Sequence, residues 1–324
     1  MSWQNSLISW YLRRRFRPAT REPIDVARVR THTAKRVWSP RPPVGFRLRE
    51  QYAAADAPLR GEWLLREGGA ARTILYLHGG GYYFCSPKSH RAITFGLAPR
   101  AQADVFSLDY RLAPEHPFPA AHDDALAAYR QLLATGRRAN SIVIAGDSAG
   151  GGLALATLVA LRDAGDPLPA GAVLYSAWTD LACTSASLRE NDGRDPMFSG
   201  DVFARVAPLY LGTTDASHPY ASPVHADLQG LPPLFMLAGS AEVLLDDTLR
   251  VAERARAAGV RVECEIAPGL PHIWPIYAPF MPEARYALDD SARFARRVTA
   301  TADAQGPQSG PQSGLQSGET SIAS

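Results

Sequence analysis

One serine stands at the centre of a G-x-S-x-G pattern, the arrangement that exposes a serine hydroxyl for nucleophilic attack. The pattern covers residues 146–150, Gly-Asp-Ser-Ala-Gly, and places Ser148 between an apolar run at 141–145 and a run of small residues at 151–160. The sequence predicts a strand, a sharp turn and a helix, in which small neighbours let the backbone fold back around the serine. Ser148 is therefore predicted to attack a carbonyl carbon.

A histidine followed by three glycines supplies a second element of the same chemistry. This segment, His78 to Gly81, follows an apolar run at 73–77, and its histidine lies 70 residues before Ser148. Because glycine has no Cβ, the backbone amides of such a loop can converge on one oxygen atom. Amides placed in this way stabilise the oxyanion that forms when a serine attacks a carbonyl. The two motifs together predict acyl transfer.

A serine nucleophile needs a base, and the base needs an acid that orients it. In enzymes with this serine turn, the acid and then the histidine follow the serine along the chain. Three histidines follow Ser148. His218 and His225 fall in polar loop sequence and are predicted to face solvent, whereas His272 follows a strand predicted at 260–267. His272 is therefore the predicted base.

The acid is expected just after the strand that ends near Ala238. Glu242 is the first carboxylate beyond that strand, and Asp246 and Asp247 come where a helix begins, which suits a capping role. Asp180 follows an earlier strand and has a structural hydrogen bond as its ordinary role. Glu242 is the favoured acid, and Asp246 and Asp180 are left open as alternatives.

The elements that must position these residues alternate between strand and helix. Eight strands are predicted at 44–53, 59–66, 73–78, 103–109, 141–146, 171–177, 233–238 and 260–267. Helices are predicted at 87–101, 119–135, 149–164, 246–258 and 282–299. Several strands are continuous apolar runs, which is typical of a parallel sheet covered on both faces. The alternation implies right-handed crossovers and an α/β fold.

One long stretch interrupts this alternation, between Asp180 and Pro232, with a short helical run at 199–211. A connection of that length inside a compact domain is usually a lid or a binding insertion, so we expect a helical cap over the serine. The predicted divisions are 1–43 (N-terminal cap helices), 44–183 (first part of the core), 184–225 (cap insertion), 226–300 (second part of the core) and 301–324 (tail). The tail repeats Gln-Ser-Gly units and is predicted to be disordered.

The N-terminus carries apolar residues at helical spacing, followed by a group of arginines. The apolar residues are Trp3, Leu7, Trp10 and Tyr11, and the arginines are Arg13, Arg14, Arg15 and Arg17. Because the positive charge follows the apolar segment, the pattern does not fit a secretory signal. We favour a helix that packs its apolar stripe over the active site, with its arginines in solvent. The alternative is an amphipathic helix that attaches to a membrane surface.

Composition sets limits on the remaining function classes. The chain has 324 residues, of which 46% are hydrophobic and 20% charged, and this balance is ordinary for a globular protein. A net charge of +2 argues against binding to nucleic acid. Cys85, Cys183 and Cys264 fit neither a disulfide framework nor a zinc site, which favours a cytoplasmic location. No apolar run reaches the roughly 20 residues of a membrane span, so stable insertion is not expected.

Over about residues 40–299 the chain resembles the hormone-sensitive-lipase family of α/β-hydrolase esterases. The resemblance is carried by the histidine–glycine segment at 78–81, a proline-rich block at 109–121, the serine pattern at 146–150 and the pair Pro271-His272. It implies the α/β-hydrolase fold, with a mostly parallel eight-stranded sheet flanked by helices. It also implies that Ser148 is the nucleophile and that His272 is the base.

The resemblance further implies where the oxyanion hole lies and where this chain departs from its relatives. The implied oxyanion-hole segment comprises Gly79, Gly80, Gly81 and Ala149, with the amides of the last three as donors and the first supporting the turn. Most family members carry an aspartate followed by Pro-Leu as the acid, whereas here Glu242 is followed by Val-Leu. The 30-residue offset from Glu242 to His272 is similar to the family's usual offset, which favours Glu242 over Asp246.

These features predict a serine carboxylesterase that hydrolyses short acyl esters, from acetyl to about hexanoyl, through an acyl-enzyme and a Ser-His-Glu triad. No metal or organic cofactor is implied. The expected partner is a small ester substrate. The one protein partner considered is a second copy of the chain, in a homodimer. Hydrolysis of amides or N-acetyl groups by the same triad is the alternative activity. A non-catalytic receptor on this scaffold is disfavoured, because the chain keeps its catalytic histidine.

Overall fold

The computed structural model describes residues 1–35, 40–52 and 57–304, and it contains one eight-stranded sheet. The strands are Phe46–Gln51 (β1), Gly61–Arg66 (β2), Thr73–Leu77 (β3), Asp104–Leu108 (β4), Ile142–Asp147 (β5), Gly171–Tyr175 (β6), Leu234–Gly239 (β7) and Val262–Ala267 (β8). Their order in the sheet is β1-β2-β4-β3-β5-β6-β7-β8. The two pairings made by β2 are antiparallel and the other five are parallel. The predicted mostly parallel sheet is confirmed.

Helices cover this sheet on both sides and extend beyond its ends. They are Trp3–Arg15 (α1), Val26–Lys35 (α2), Arg91–Ala101 (α3), Ala120–Ala134 (α4), Ala149–Asp163 (α5), Ser187–Glu190 (α6), Asp201–Leu211 (α7), Leu245–Ala257 (α8) and Pro282–Ala304 (α9). The helix predicted at 87–101 is a 3₁₀ turn, Pro87–His90, followed by α3. The last helix runs into residues 301–304, which were predicted to be disordered. The rest of the predicted tail lies outside the described residues.

Alternation along β3 explains why the helices divide into two layers. Leu75 and Leu77 belong to one buried cluster, which includes side chains of α4, α5 and α8. Ile74 and Tyr76 belong to the other cluster, which includes side chains of α3 and α9. Successive side chains of a strand point to opposite faces, so an apolar run such as Thr73–Leu77 requires cover on both.

The N-terminal segment and the long insertion, the two predicted parts of the cap, contact each other through hydrogen bonds. Arg13 donates to the carbonyl oxygen of Gly193 at 2.6 Å, and Arg17 donates through Nε to that of Phe198 at 3.2 Å. The backbone amide of Ser199 donates to Thr20 Oγ1 at 3.1 Å. The two cap segments predicted from the sequence therefore contact each other directly.

The predicted orientation of α1 is wrong. Its stripe of Trp3, Leu7, Trp10 and Tyr11 is exposed, and the opposite row, with Asn5 and Leu12, is buried against the protein. The helix carries two rows at helical spacing, and the row with the smaller side chains fits against the fold. No helix within the described ranges has both the length and the apolar character needed to cross a bilayer.

Candidate active site

Ser148 lies in the turn between β5 and α5, in a backbone conformation that few residues adopt. Its φ is 53° and its ψ is −123°. A Cβ on Gly150 would lie 2.1 Å from the carbonyl oxygen of Leu77, so glycine is required there for the turn to pass so close to β3. Strain of this kind persists only where surrounding contacts hold it. Here the amide of Ser148 donates to the carbonyl of Tyr175, and its carbonyl accepts from the amide of Trp178, both at 2.9 Å.

The glycine loop after β3 is held by the buried carboxylate of Asp147. Its Oδ1 accepts from the Gly79 amide at 3.0 Å and from the Tyr76 hydroxyl at 2.6 Å, and its Oδ2 lies 3.2 Å from His90 Nε2. Burial alone would raise the pKa of Asp147, but its interactions with His90 and Tyr76 outweigh burial and lower it. The amide of Gly79 is therefore engaged with Asp147, which suits the supporting role implied for it.

The next two glycines leave their amides available. Gly80 and Gly81 have positive φ values of 116° and 57°, a conformation that glycine adopts without strain. The carbonyl of Gly80 accepts from the amides of residues 83 and 84, which closes the turn. Within the described ranges, the amides of Gly80, Gly81 and Ala149 have no hydrogen-bond acceptor. Unpaired amides on both sides of a serine turn are the donors that an oxyanion hole needs.

His78 supports this loop through its ring. Its Nδ1 lies 2.8 Å from the carbonyl oxygen of Gly79, and its ring stacks on Tyr110 at a centroid distance of 4.2 Å. The Tyr110 hydroxyl donates to the carbonyl of His78 at 2.7 Å. Burial lowers the pKa of His78 to about 3, so the ring is neutral at neutral pH.

Glu242 and His272 form a buried pair beyond the carboxyl ends of β7 and β8. Nδ1 of His272 lies 2.8 Å from Oε2 of Glu242. The other carboxylate oxygen accepts from the Ser176 hydroxyl at 2.8 Å and from the amide of Gly239. Nε2 of His272 has no partner within the described ranges. A histidine whose Nδ1–H is held by a carboxylate presents Nε2 as a proton acceptor, which is the arrangement of a general base.

Ser176, for which the sequence carried no signal, supports this pair. It follows β6 with a φ of 47°. Its hydroxyl donates to Glu242 and accepts from the amide of Ile273 at 3.1 Å, so it contacts both the acid and the residue after the base. Residues 175 and 178 hold the backbone of Ser148. One short segment therefore supports all three members of the predicted triad.

The predicted cap insertion also supports the acid, through hydrogen bonds to the turn that carries it. Asp195 accepts from the amides of residues 197 and 198, at 2.7 and 3.0 Å, and from the amide of Val243 at 2.9 Å. The side-chain amide of Asn191 donates to the carbonyl of Glu242 at 2.8 Å. Burial raises the pKa of Asp195. These contacts tie the insertion to the turn that carries Glu242.

Comparisons with known proteins identify the family of this chain. The sequence profile of the α/β-hydrolase fold family matches residues 74–276. An acetyl-hydrolase of Streptomyces hygroscopicus is 48% identical over 238 residues, which are 74% of this chain and 80% of that protein. An esterase of Acinetobacter venetianus is 39% identical over 74% of this chain and 79% of its own. The chain belongs to the α/β-hydrolase family.

Comparison with solved structures places the chain in a smaller group within the α/β-hydrolase family. The crystal structure of EstE5 soaked by p-nitrophenyl butyrate matches with a TM-score of 0.85 and 39% identity, covering 93% of this chain and all of the other. An esterase from the bacterial hormone-sensitive lipase family matches with a TM-score of 0.84 and 38% identity, covering 92% of this chain and 99% of the other. The protein is a carboxylic ester hydrolase of that family.

In this esterase the two alternative acids, Asp246 and Asp180, interact with other groups. Asp246 accepts from the amide of Ser187 at 2.8 Å, at the start of α6. Asp180 accepts from Arg250 at 2.7 Å and lies 3.4 Å from Nε2 of His225. Neither carboxylate has a contact with the predicted base among the interactions of the described residues. Glu242 is the carboxylate that the fold places next to His272.

The other histidines after the nucleophile lie apart from the Glu242 pair. His225 is exposed, as expected for a loop residue. His218 is half-buried instead, because its ring packs against Phe118 and Tyr220 at centroid distances of 5.1 and 5.6 Å. In the part of the chain that the structure describes, no three histidine, cysteine, aspartate or glutamate side chains form a group that could hold a metal ion.

Proposed function

We propose that this esterase is a serine carboxylesterase that uses Ser148 as nucleophile, His272 as base and Glu242 as acid. The observation that carries the proposal is the 2.8 Å hydrogen bond between Glu242 and Nδ1 of His272, together with the unpartnered Nε2 of the same ring. A buried imidazole held in this tautomer can accept a proton and return it in the same catalytic cycle.

The reaction proceeds through an acyl-enzyme. Nε2 of His272 takes the hydroxyl proton of Ser148 as the serine oxygen bonds to the carbonyl carbon of the ester. The developing oxyanion accepts hydrogen bonds from the amides of Gly80, Gly81 and Ala149, and loss of one such donor typically costs about 3 kcal/mol. The alcohol leaves with the proton from His272. Water then attacks the acyl-enzyme by the same route and releases the acid.

Glu242 serves as the acid in place of the family's usual aspartate. Its extra methylene lengthens the side chain, so a slightly more distant backbone can deliver the same carboxylate to the histidine. Ser176 and the amide of Gly239 fix the second oxygen, which prevents the longer side chain from sampling other rotamers. The carboxylate stabilises the imidazolium that forms during the reaction.

Short acyl chains, from acetyl to about hexanoyl, are the proposed substrates. Large buried rings border the nucleophile turn and the glycine loop: Tyr82 stacks on Tyr210 at 3.7 Å, and Trp178 packs edge-on against Phe203 at 5.2 Å. In this proposal these rings limit the length of the acyl chain. The acetyl-hydrolase relative and the butyrate ester soaked into EstE5 support the same range.

The assignment of the acid is tested by matched carboxamide variants. Glu242→Gln should lower kcat for p-nitrophenyl butyrate by about 10⁴-fold, because the amide cannot hold the productive tautomer. Asp246→Asn, which alters a carboxylate four residues away, should keep kcat within about threefold. Circular dichroism checks that both variants fold. Near-wild-type activity of Glu242→Gln together with loss in Asp246→Asn would overturn the assignment.

The substrate range is tested by comparing kcat/KM for p-nitrophenyl acetate, butyrate and palmitate with that for acetylated aromatic amines. Acetate and butyrate should be the preferred substrates, because the aromatic side chains limit the acyl chain. Preference for palmitate contradicts the proposed chain length, and preference for the amines would make the enzyme an amidase. Labelling of Ser148 by a fluorophosphonate separates both enzymes from a non-catalytic receptor.

A further inference from the structure

Exposed hydrophobic side chains are concentrated in the N-terminal segment. Within the described ranges, ten large hydrophobic side chains are exposed, and six of them fall within residues 1–16. These six are Met1, Trp3, Leu7, Trp10, Tyr11 and Phe16. Large contiguous apolar patches are rare on monomeric proteins and usually mark interaction sites.

The central part of this patch is one stripe of α1, which we call the aromatic face: Trp3, Leu7, Trp10 and Tyr11. Trp3 is 71% exposed and Trp10 is 55% exposed. The spacing of three and four residues places all four side chains on one side of the helix. The opposite row faces the protein, so the aromatic face points away from the fold.

The helix that carries this face is fixed to the protein by specific bonds. The amide and hydroxyl of Ser2 both donate to Glu283, at 2.6 and 2.8 Å, and the side chain of Asn5 donates to the carbonyl of Gly269 at 3.3 Å. At the other end, Arg13 donates to the carbonyls of residues 193 and 194. The aromatic face is therefore presented on an anchored helix.

Positive charge borders the aromatic face. Arg14 lies over the ring of Trp10, 5.4 Å from its centroid, and Arg15 follows in the last turn of α1. Both arginines are exposed, and neither forms an ion pair with any residue of the described segments. Tryptophan, tyrosine and arginine on one surface helix match the boundary between lipid headgroups and acyl chains, where rings lie at headgroup level and arginine binds phosphate.

We propose that the aromatic face, with Arg14 and Arg15, is a docking surface for an anionic phospholipid membrane. A second copy of the chain fits less well, because a twofold contact through this face would bring the arginines of both copies together. Docking would also bring the cap close to the lipid. Arg17, two residues after α1, donates to the carbonyl of Phe198, whose ring packs against His272 at 5.1 Å.

The test is co-sedimentation of the full chain with vesicles of phosphatidylcholine and phosphatidylglycerol in equal parts, and with vesicles of phosphatidylcholine alone. Wild-type protein should bind the anionic vesicles, and salt should weaken the binding. The triple variant Trp3→Ser, Leu7→Ser, Trp10→Ser should bind at least about tenfold more weakly. Arg14→Gln with Arg15→Gln should reduce the partition coefficient about 25-fold, taking about fivefold for each charge near the surface.

Two controls keep the result specific. Leu249→Ser removes an exposed leucine on α8, far along the chain from α1, and should leave vesicle binding unchanged. Hydrolysis of soluble p-nitrophenyl butyrate should be unchanged in every variant, which shows that each one folds. As a measurement that needs no destabilising change, brominated phospholipid should quench the tryptophan emission of wild-type protein, and Trp3→Phe with Trp10→Phe should keep binding and lose that quenching.

Other results would overturn the proposal. Equal binding of wild-type protein and the triple variant would place the lipid contact elsewhere. Absence of vesicle binding, with a wild-type dimer that the triple variant converts to a monomer, would make the aromatic face an interface between copies of the chain. Because the readout is binding, failure here leaves the proposed esterase reaction intact.

Discussion

Two buried carboxylates, Asp147 and Glu242, have matching sets of partners in two different regions of the esterase. Each binds one hydroxyl group, one glycine amide and one histidine ring: Tyr76, Gly79 and His90 for Asp147, and Ser176, Gly239 and His272 for Glu242. Asp147 holds the glycine loop, and Glu242 holds the proposed base. A buried carboxylate with a histidine is therefore not by itself a mark of catalysis.

The difference between the two regions lies at the second nitrogen of each ring. Nδ1 of His90 lies 2.9 Å from the hydroxyl of Ser89, so both ring nitrogens of His90 are engaged. Nε2 of His272 has no partner in the described part of the chain. The ring of His90 has a structural role because both of its nitrogens are engaged. The ring of His272 has an unpartnered nitrogen, so it can exchange a proton with a substrate.

The largest expected effect is the difference in kcat between substitutions of His272 and of His90. His272→Asn should lower kcat for p-nitrophenyl butyrate by about 10⁵-fold or more, because the proposed proton acceptor for Ser148 is lost. His90→Asn should lower kcat no more than about 100-fold, through a less well-placed oxyanion hole. Steady-state kinetics on both folded variants measures the ratio. Equal losses would mean that the partner of the second nitrogen does not set the role of the ring.

A smaller difference is expected between substitutions of the two hydroxyl donors, Ser176 and Tyr76. Ser176→Ala should lower kcat about tenfold with little change in KM, because the acid and the loop of the base both lose a contact. Tyr76→Phe should change kcat by less than about threefold while lowering the free energy of unfolding by about 1–3 kcal/mol, since Asp147 keeps its other two partners. Kinetics and urea denaturation of each variant test this split. A reversed pattern would contradict the division into a catalytic and a structural carboxylate.

The smallest effect concerns the buried ring of His78. Burial lowers its pKa to about 3 in the folded protein, against an ordinary value of 6.5. Between these values the unfolded chain binds more protons, so this residue's contribution to stability is complete above pH 6.5 and is lost as the pH falls. Its effect on the free energy of unfolding is up to about 1.4 kcal/mol per pH unit.

Urea denaturation between about pH 6 and pH 4 provides the measurement for that residue. Relative to wild type, His78→Gln should show a shallower fall of the free energy of unfolding with decreasing pH. Parallel profiles for the two proteins would show that the ring is not held neutral by burial.

The sheet and the reactive residues could be predicted because they carry local signals. All eight strands were predicted to within two residues of their bounds, several of them from continuous apolar runs. The chain order of serine, acid and histidine pointed to Glu242 and His272. Ser176 and Asp195 carried no such signal, because a serine after a strand is common and their partners lie far away in sequence. The orientation of α1 was predicted wrongly because helical periodicity shows that a row exists, without showing which of two rows is covered.

The bonds from the cap insertion to the turn that carries Glu242 have a consequence for turnover. Asn191 and Asp195 both bind the peptide group that joins Glu242 to Val243, so an insertion that moved away as a whole would remove these supports from the acid. We therefore expect ester and product to exchange while these hydrogen bonds stay in place. The hydrogen bond between Glu242 and His272 is present without a bound ester, so no ligand is needed to form it.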